Sequence, residues 1–263
     1  MGTDKRARQK ANRERARQER IRRQKIDKVR NRSLKFGIGI PVVIAALFLV
    51  ANLMTGDDDA PTGDDATTTS VATLELTPCP PAGGATERVA SFAAPMETCI
   101  DASKSYTATF DTTEGEIVVE LDVANTPGTV NNFVSLARYR YYDTTTIFRT
   151  DPSIDIIQGG GFSASDDVGY NIADEGSGYQ YEEGDLVMAR GDGPNSGGAQ
   201  FFFVTGPNGA LLNSQGTYVT FGKVTRGLDV VKAIQALHQP DGGSLGGKPS
   251  RTVTVNSVTI TES

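Results

Sequence analysis

Few side chains in this sequence could carry out covalent chemistry. His238 is the only histidine, and Cys79 and Cys99 are the only cysteines. A Ser-His-Asp triad would have to use His238, which lies beside the Gly-rich stretch DGGSLGGK, and zinc has no ligand set. The stretch GDGPNSGG is similar to a phosphate-binding loop, but it leads into the strand-like segment AQFFFV, whereas nucleotide loops precede a helix. Nucleophilic, zinc and nucleotide chemistry are therefore disfavoured, and no metal or cofactor is expected.

Five short motifs remain, and their order along the chain is informative. They are Phe148-Arg149, IIQGG (156–160), Met188-Ala189, GPNSGGAQFFF (193–203) and VTFGKV (219–224). In this order and at nearly these spacings they resemble the cyclophilin signature FHR, QGG, MA, GPNTNGSQFF and VFGKV. The resemblance covers about residues 106–260, and GPNSGGAQFFF is its strongest single match. The ordered set argues against a chance match.

The resemblance implies a fold, an activity and a site. The implied fold is mainly β, a closed eight-stranded antiparallel barrel with two capping helices and a substrate groove on its outer face. The implied activity is cis-trans isomerisation of X-Pro bonds in polypeptides, without a cofactor. Arg149 is the implied catalytic residue. The implied substrate-binding residues are Ile154, Ile156, Gln158, Ala189, Arg190, Gln200, Phe202, Leu212 and Tyr218.

The chain departs from the cyclophilin pattern at three places. Phe148 stands where a histidine is usual. Ile154 lies in PSID, which has one residue more than the family segment that places a phenylalanine on the proline pocket. A similar insertion puts Arg190 where the family tends to have asparagine. These changes leave an alternative open, a catalytically weak proline-peptide-binding module or chaperone on the same scaffold.

Prolyl isomerisation needs no nucleophile, acid or metal. Rotation about the amide costs roughly 18–20 kcal/mol, because the twisted state loses C–N resonance. An enzyme must therefore bind the twisted amide more tightly than either planar form. Once resonance is lost, the nitrogen recovers its lone pair and can accept a hydrogen bond from a fixed cation. Arg149 suits this role, because a guanidinium stays protonated.

An apolar pocket is also needed to hold the proline ring. Side chains alternate between the two faces of a strand, so Phe202 is predicted to line this pocket while Phe201 and Phe203 face the core. Gln158 and Gln200 are predicted to bond the substrate backbone and to orient Arg149.

Alternating apolar and polar residues predict the elements that position these side chains. Residues 106–111 and 117–121 predict a hairpin around the turn TTEG. A helix should follow, with Thr126 as N-cap and Pro127 at its first position. Further strands are predicted at 154–158, 185–189, 200–205, 218–224 and 251–261, and a second helix at 228–237.

The start of the chain has a different composition. Residues 1–35 hold 15 Lys or Arg against 4 Asp or Glu, so 11 of the 26 basic and 28 of the 32 acidic residues lie in the remainder. Residues 36–54 are uncharged and long enough to cross a bilayer as a signal anchor, whereas a cleavable signal peptide usually has a shorter apolar stretch. The positive-inside rule then predicts a single-pass membrane protein with residues 1–35 as a basic cytoplasmic tail. Anionic lipid or a cytoplasmic partner could bind this tail.

Two further segments should separate the membrane span from the domain. Residues 55–76 are acidic and Thr-rich, as is typical of a disordered linker, and their aspartates lack EF-hand spacing. Residues 77–102 are a preface to the isomerase domain at 103–262. Both cysteines lie in this preface, outside the cytoplasm, so a Cys79–Cys99 disulfide is predicted, with two free thiols as the alternative. We expect a monomer that assists protein folding outside the membrane, and we expect the acidic stretch 166–185 to be a solvated loop or to select basic clients.

Overall fold

The computed structural model describes residues 75–241 and 245–263, and their elements are mainly β-strands. The strands are β1 (Tyr106–Thr112), β2 (Gly115–Leu121), β3 (Thr145–Thr146), β4 (Arg149–Asp151), β5 (Ile156–Gly159), β6 (Asp185–Arg190), β7 (Gly197–Val204), β8 (Thr220–Arg226), β9 (His238–Pro240), β10 (Gly247–Pro249) and β11 (Thr254–Glu262). The helices are α1 (Pro127–Arg138), a 3-10 helix (Pro207–Leu212) and α2 (Leu228–Ala236). Antiparallel pairs join the strands into one sheet in the order β3-β11-β1-β2-β8-β6-β7-β5-β4-β10-β9.

The predicted hairpin forms as β1 and β2, with Tyr106 opposite Leu121 and Thr112 opposite Gly115. Every second residue of β1 is buried, starting at Tyr106, which is the pattern of a strand with one face on a core. Strand β11 pairs with the other edge of β1, and β8 pairs with β2. The hairpin therefore lies inside the sheet rather than at its edge.

Helix α1 begins where the sequence predicted, but its N-terminus is capped differently. Thr126 precedes Pro127, yet the Thr126 hydroxyl donates to the Asp122 carbonyl and makes no capping bond. Instead the Glu175 carboxylate accepts the backbone N–H groups of Gly128 at 2.8 Å and Thr129 at 2.6 Å. A carboxylate satisfies free N–H groups and also interacts favourably with the helix dipole. A residue far along the chain thus replaces the local cap.

Aromatic rings fill the core between α1 and the sheet. Phe133 of α1, Phe110 of β1 and Phe201 and Phe203 of β7 are each no more than 1% exposed. The Phe110 ring centre lies 5.4 Å from those of both Phe201 and Phe203, in edge-to-face geometry. Burial of such rings is a large hydrophobic contribution, and their offset contacts add to it.

Residues 77–102, which we call the N-terminal strap, pack against this core. The predicted Cys79–Cys99 disulfide is present and closes a 20-residue separation. Phe92 and Met96 join the main hydrophobic cluster, with 9% and 7% of their surface exposed. The strap therefore contributes side chains to the core of the domain.

The other predicted elements agree with the structure to within a few residues, and two expectations need comment. The sheet curves as a half-barrel of eleven strands, several of them only two or three residues long, so the closed eight-stranded barrel is not confirmed. No helix among the described residues is both long and apolar enough to cross a membrane. The predicted span at 36–54, the tail before it and nearly all of the linker lie outside the described residues.

Truncation of a core ring should cost far more stability than truncation of an exposed side chain. Phe203 is fully buried, so Phe203→Ala should lower the free energy of unfolding by about 3–5 kcal/mol through lost burial and a residual cavity. Leu211 is 63% exposed, and Leu211→Ala should stay within about 0.5 kcal/mol of the wild type. Urea titrations measure both values. Equal losses for the two variants would contradict this arrangement of the core.

Candidate active site

The two faces of β7 serve two separate hydrophobic clusters. Phe201 and Phe203 belong to the main core, whereas Phe202 belongs to a smaller cluster on the opposite face. This confirms the alternation predicted from the sequence. The smaller cluster, which we call the outer cluster, has the buried members Ile156, Tyr181, Val187, Phe202, Val204 and Leu212, with Ile154, Tyr179, Ala189 and Tyr218 packed against them.

Strand register places Arg149 beside the outer cluster. Arg149 on β4 is paired with Gln158 on β5, and Gln158 is paired with Phe202 on β7. Directly paired residues on neighbouring strands have their side chains on the same face of the sheet. The three side chains therefore form one row, and because neighbouring strands lie about 4.8 Å apart, the row spans roughly 10 Å between the outer Cα atoms.

Three hydrogen bonds from three nitrogens fix the Arg149 guanidinium. Nη1 donates to Oε1 of Gln158 at 2.9 Å, and Nη2 donates to Oδ2 of Asp151 at 2.9 Å. Nε donates to the carbonyl oxygen of Leu245 at 2.7 Å. A guanidinium has five N–H groups, so within the described part of the chain two of them remain for a ligand.

A directional chain of amides leads from Arg149 into the loop at residues 161–168. Nε2 of Gln158 donates to Oε1 of Gln200 at 3.0 Å. Nε2 of Gln200 faces the carbonyl oxygens of Asp166 at 2.9 Å, Ala164 at 3.3 Å and Ser163 at 3.5 Å. Because carbonyl oxygens only accept hydrogen bonds, they fix which end of the Gln200 amide faces them. Each amide then orients the next, and the Gln158 oxygen is left facing the guanidinium.

Asp151 supplies the negative charge next to Arg149. Partial burial alone would raise the pKa of this carboxyl, but hydrogen bonds from Ser153 and Arg149 outweigh burial and hold the pKa below its ordinary value of 3.8. Asp151 is therefore ionised at neutral pH and completes a charge-assisted contact with the guanidinium.

A second arginine contacts the outer cluster at Tyr218. Arg190, at the end of β6, donates from Nη1 to the Gly193 carbonyl and from Nη2 to Oγ1 of Thr217, both at 2.6 Å. Its guanidinium carbon lies 5.5 Å from the ring centre of Tyr218, a cation–π distance. An ion pair with Asp174 at 3.8 Å also forms. Arg190 thus braces the Tyr218 side of the cluster.

The part of the chain that forms the sheet and the outer cluster matches a known protein family. A family model described as "Cyclophilin type peptidyl-prolyl cis-trans isomerase/CLD" matches residues 107–260, more than half of the 263-residue chain. The chain belongs to the cyclophilin-type peptidyl-prolyl cis-trans isomerases. It is therefore an isomerase by family, as the ordered motifs implied.

Individual cyclophilins cover the same part of the chain. The chain is 34% identical over 163 residues to "Peptidyl-prolyl cis-trans isomerase cyp18" of Streptomyces antibioticus, which covers 59% of this chain and 98% of that protein. It is 33% identical over 166 residues to "Peptidyl-prolyl cis-trans isomerase B" of Escherichia coli (strain K12), with 59% and 99% covered. A crystal structure of a cyclophilin type isomerase from Cryptosporidium parvum matches with a TM-score of 0.52 and 26% identity, covering 60% of this chain and 98% of that one. That protein was also crystallised in the presence of the dipeptide Ala-Pro.

The structure places all ten residues carried over from the cyclophilin motifs around one site. Arg149, Gln158 and Gln200 belong to the hydrogen-bonded chain. The other seven line the outer cluster or its rim, and they are Ile154, Ile156, Ala189, Arg190, Phe202, Leu212 and Tyr218. Ile154, in the segment with one residue more than the family pattern, packs against this cluster.

Sequence reasoning missed Tyr181, a buried member of the outer cluster that comes from the acidic stretch. Its hydroxyl accepts the backbone N–H of Tyr218 at 2.9 Å and donates to the Tyr218 carbonyl at 3.0 Å. Burial raises the pKa of Tyr181 to about 12, so the hydroxyl keeps the proton that it donates. No local pattern marks this tyrosine, because its partner lies 37 residues away.

The acidic stretch is not a uniformly solvated loop. Glu175 caps α1, and Asp174 pairs with Arg190 at 3.8 Å. Asp185 pairs with Lys223 at 2.7 Å. These carboxylates are used within the domain, which leaves less of the stretch to attract basic clients.

A cavity of about 560 Å³ lies elsewhere and is not the candidate site. Its lining includes Lys104, Glu120, Asp122 and Lys223 and none of the ten carried-over residues. The Lys104 ammonium at this cavity is paired with Glu262 at 2.5 Å.

The low pKa of Asp151 gives a testable pH dependence of stability. Because its pKa in the folded state is lowered, ionised Asp151 stabilises the fold above the unfolded-state pKa of about 3.9, and this contribution is lost as pH falls through the folded-state value. The stability difference between wild type and Asp151→Asn should therefore stay constant from about pH 5 to 8 and shrink below about pH 4. Urea titrations of both proteins at each pH measure this difference in the free energy of unfolding. The contributions of the other carboxyl groups are the same in both proteins and cancel. A difference that does not shrink in acid would contradict the assigned contacts.

Proposed function

We propose that Arg149 catalyses isomerisation of X-Pro bonds by donating a hydrogen bond to the prolyl nitrogen in the twisted state. The observation that carries this proposal is the guanidinium held by Gln158, Asp151 and Leu245 at the edge of an apolar cluster. Three bonds to the protein fix its direction before substrate arrives. A donor that is already oriented loses little freedom when charge redistributes, which is the condition for strong electrostatic catalysis.

The difference between ground state and transition state gives this donor its catalytic effect. In the planar amide the nitrogen lone pair is delocalised and accepts hydrogen bonds poorly, whereas the twisted amide restores it. A hydrogen bond from Arg149 therefore stabilises the twisted state more than either planar isomer, as rate acceleration requires. The remaining N–H groups of the guanidinium suffice for this contact.

The outer cluster is the proposed seat of the proline ring. The ring of Phe202 lies at 3% exposure with Tyr218 edge-on at a centre distance of 5.7 Å, so a proline could pack on the rim formed by these rings with Ile156 and Leu212. Ile154 replaces an aromatic contact of the family pattern with a smaller aliphatic one. Ala189 and Arg190 at the end of β6 are placed to contact residues flanking the proline.

Gln200 is proposed to act on the substrate indirectly. Its amide nitrogen is engaged by the carbonyls of Ser163, Ala164 and Asp166, and its oxygen accepts from Gln158. Its role is therefore to orient Gln158 and, through it, Arg149. Gln158 lies between Arg149 and Phe202 in the same row, and we propose that its side chain also bonds the backbone of a bound prolyl peptide.

The site of action is proposed to be outside the cytoplasmic membrane, where the enzyme would assist folding of proline-containing proteins. Residues 36–54 would anchor it in lipid, with the basic tail at 1–35 in the cytoplasm against anionic lipid or a partner protein. The Cys79–Cys99 disulfide supports an extracytoplasmic domain, because disulfides persist mainly in oxidising compartments.

Replacement of Arg149 tests the catalytic part of the proposal. Arg149→Ala in the full-length protein should lower kcat/KM for an X-Pro peptide by about 100- to 1,000-fold, the loss typical of one electrostatic donor. Arg251 has a side chain that is 63% exposed and pairs with Glu114, so Arg251→Ala is a matched control that should keep full activity. A coupled peptide isomerisation assay measures all three proteins. Wild-type activity in Arg149→Ala would exclude this mechanism.

Membrane extraction tests the location. Full-length protein should stay in the membrane pellet after an alkaline carbonate wash. A variant carrying Ile44→Arg and Leu47→Arg should move to the supernatant, because each central arginine costs about 2.5–3.5 kcal/mol of insertion free energy. Immunoblotting of both fractions measures the distribution. Full-length protein in the carbonate supernatant would refute the anchor.

A further inference from the structure

We infer that Arg88 of the N-terminal strap is a positioning residue for the isomerase site, acting through the 161–168 loop. The inference rests on the proposed role of Arg149, because the loop touches the end of the amide chain that orients this guanidinium. The strap lies before the region matched to the family, which begins at residue 107. The strap would therefore be an addition by which this chain stabilises its own catalytic arrangement.

The first step is what the 161–168 loop does for the site. Its carbonyl groups at Ser163, Ala164 and Asp166 hold the Gln200 amide nitrogen at 2.9–3.5 Å. If the loop moved away, the Gln200 amide could rotate and present either its oxygen or its nitrogen to Gln158. The direction of the chain would then be lost, and the Gln158 oxygen would no longer be fixed toward Arg149.

The second step is what holds the loop. Within the loop, Asp166 ties the turn by accepting from the Phe162 N–H at 2.6 Å and the Ser163 hydroxyl at 2.7 Å. These bonds give the loop its shape but do not attach it to the domain. The loop is attached to the domain at its start, where the Thr146 N–H donates to the Gly161 carbonyl at 3.0 Å, and to the strap at its end, where the Phe92 N–H donates to the Val168 carbonyl at 2.9 Å.

Arg88 supplies the side-chain part of this attachment. Its guanidinium carbon lies 5.5 Å from the ring centre of Phe162 in the loop and 5.6 Å from that of Tyr141 in the domain. Its Nε also donates to the Tyr141 carbonyl at 3.0 Å. A cation that contacts one ring in the loop and one ring in the domain links the loop to the body of the protein. Phe162 is 52% exposed and its backbone N–H is bonded within the loop, to Asp166, so Arg88 gives its ring a contact outside the loop.

The third step is what holds the strap. The Val89 N–H donates to the Tyr139 carbonyl at 3.0 Å, next to Arg88. Further along, the Cys99 N–H donates to Oδ1 of Asn131 on α1 at 2.6 Å, and the disulfide joins Cys99 to Cys79. The strap is thus anchored at several points outside the 161–168 loop, so the position of Arg88 does not depend on that loop.

The expected kinetic signature is a change in kcat without a matching change in KM. None of the strap residues packs against the outer cluster, so the proposed proline seat stays intact when Arg88 is lost. What changes is the alignment of Arg149, which acts in the twisted state. Arg88→Ala should therefore lower kcat by about 2- to 5-fold, which corresponds to one cation–π contact, with KM changed less. Arg88→Lys should recover most of kcat, because an ammonium also interacts with the Phe162 ring.

A double-mutant comparison separates this role from general destabilisation. Phe162→Ala should lower kcat as Arg88→Ala does, and the double variant should be no slower than either single variant, because the two residues form one contact. Arg226, whose side chain is 71% exposed and which pairs with Glu116, gives the control Arg226→Ala, expected to match the wild type. A wild-type kcat in Arg88→Ala, or additive losses in the double variant, would overturn the inference.

Hydrogen-deuterium exchange tests the bracing independently of catalysis. In full-length Arg88→Ala, amides in 161–168 should exchange faster than in the wild type, while those of β5 and β7 keep their protection. Unchanged exchange in the loop would overturn the inference even if activity fell. If instead the loop is loosened but wild-type protein fails to isomerise X-Pro peptides, the proposed function fails while the bracing by Arg88 stands.

Discussion

The geometry of the candidate site depends on the direction of one series of side-chain hydrogen bonds, which runs from Gln200 through Gln158 to Arg149. Carbonyl groups of the 161–168 loop can only accept, so the Gln200 nitrogen must face them and its oxygen must face Gln158. Gln158 then turns its own oxygen to the Arg149 guanidinium, which Asp151 and Leu245 hold from the other side. A neutral chain and one ionised carboxylate thereby position a charged donor while part of its hydrogen-bonding capacity remains free for substrate.

Strand pairing explains why this donor lies beside an apolar surface. Strand register pairs Arg149 with Gln158, and Gln158 with Phe202. A cation, an amide and an aromatic ring therefore lie side by side on one face of three neighbouring strands. On the opposite face of β7, Phe201 and Phe203 enter the main core. The same strand therefore contributes to the stability of the domain and to the proposed proline seat, and a shift of register by one residue would exchange the two faces.

Sequence patterns anticipated the parts of the molecule that depend on local order. Alternation assigned Phe202 and its neighbours to the correct faces, and the motif order identified the residues around Arg149. The patterns did not show Glu175 as the cap of α1, Tyr181 as the brace of Tyr218, or the packing of the strap through Phe92, because each joins residues far apart in the chain. The short strands β3, β4, β9 and β10 were missed for a related reason, since two or three residues carry too little periodicity to detect.

A crystal structure of the full-length protein with a bound X-Pro peptide tests the central claim most directly. The account predicts the prolyl ring packed on Phe202 and a guanidinium N–H of Arg149 directed at the prolyl nitrogen, within about 3–3.5 Å if the bound amide is partly twisted. The bonds from Arg149 to Gln158, Asp151 and Leu245 should persist. A peptide bound away from Phe202, or a guanidinium that has left these partners and points away from the prolyl nitrogen, would contradict it.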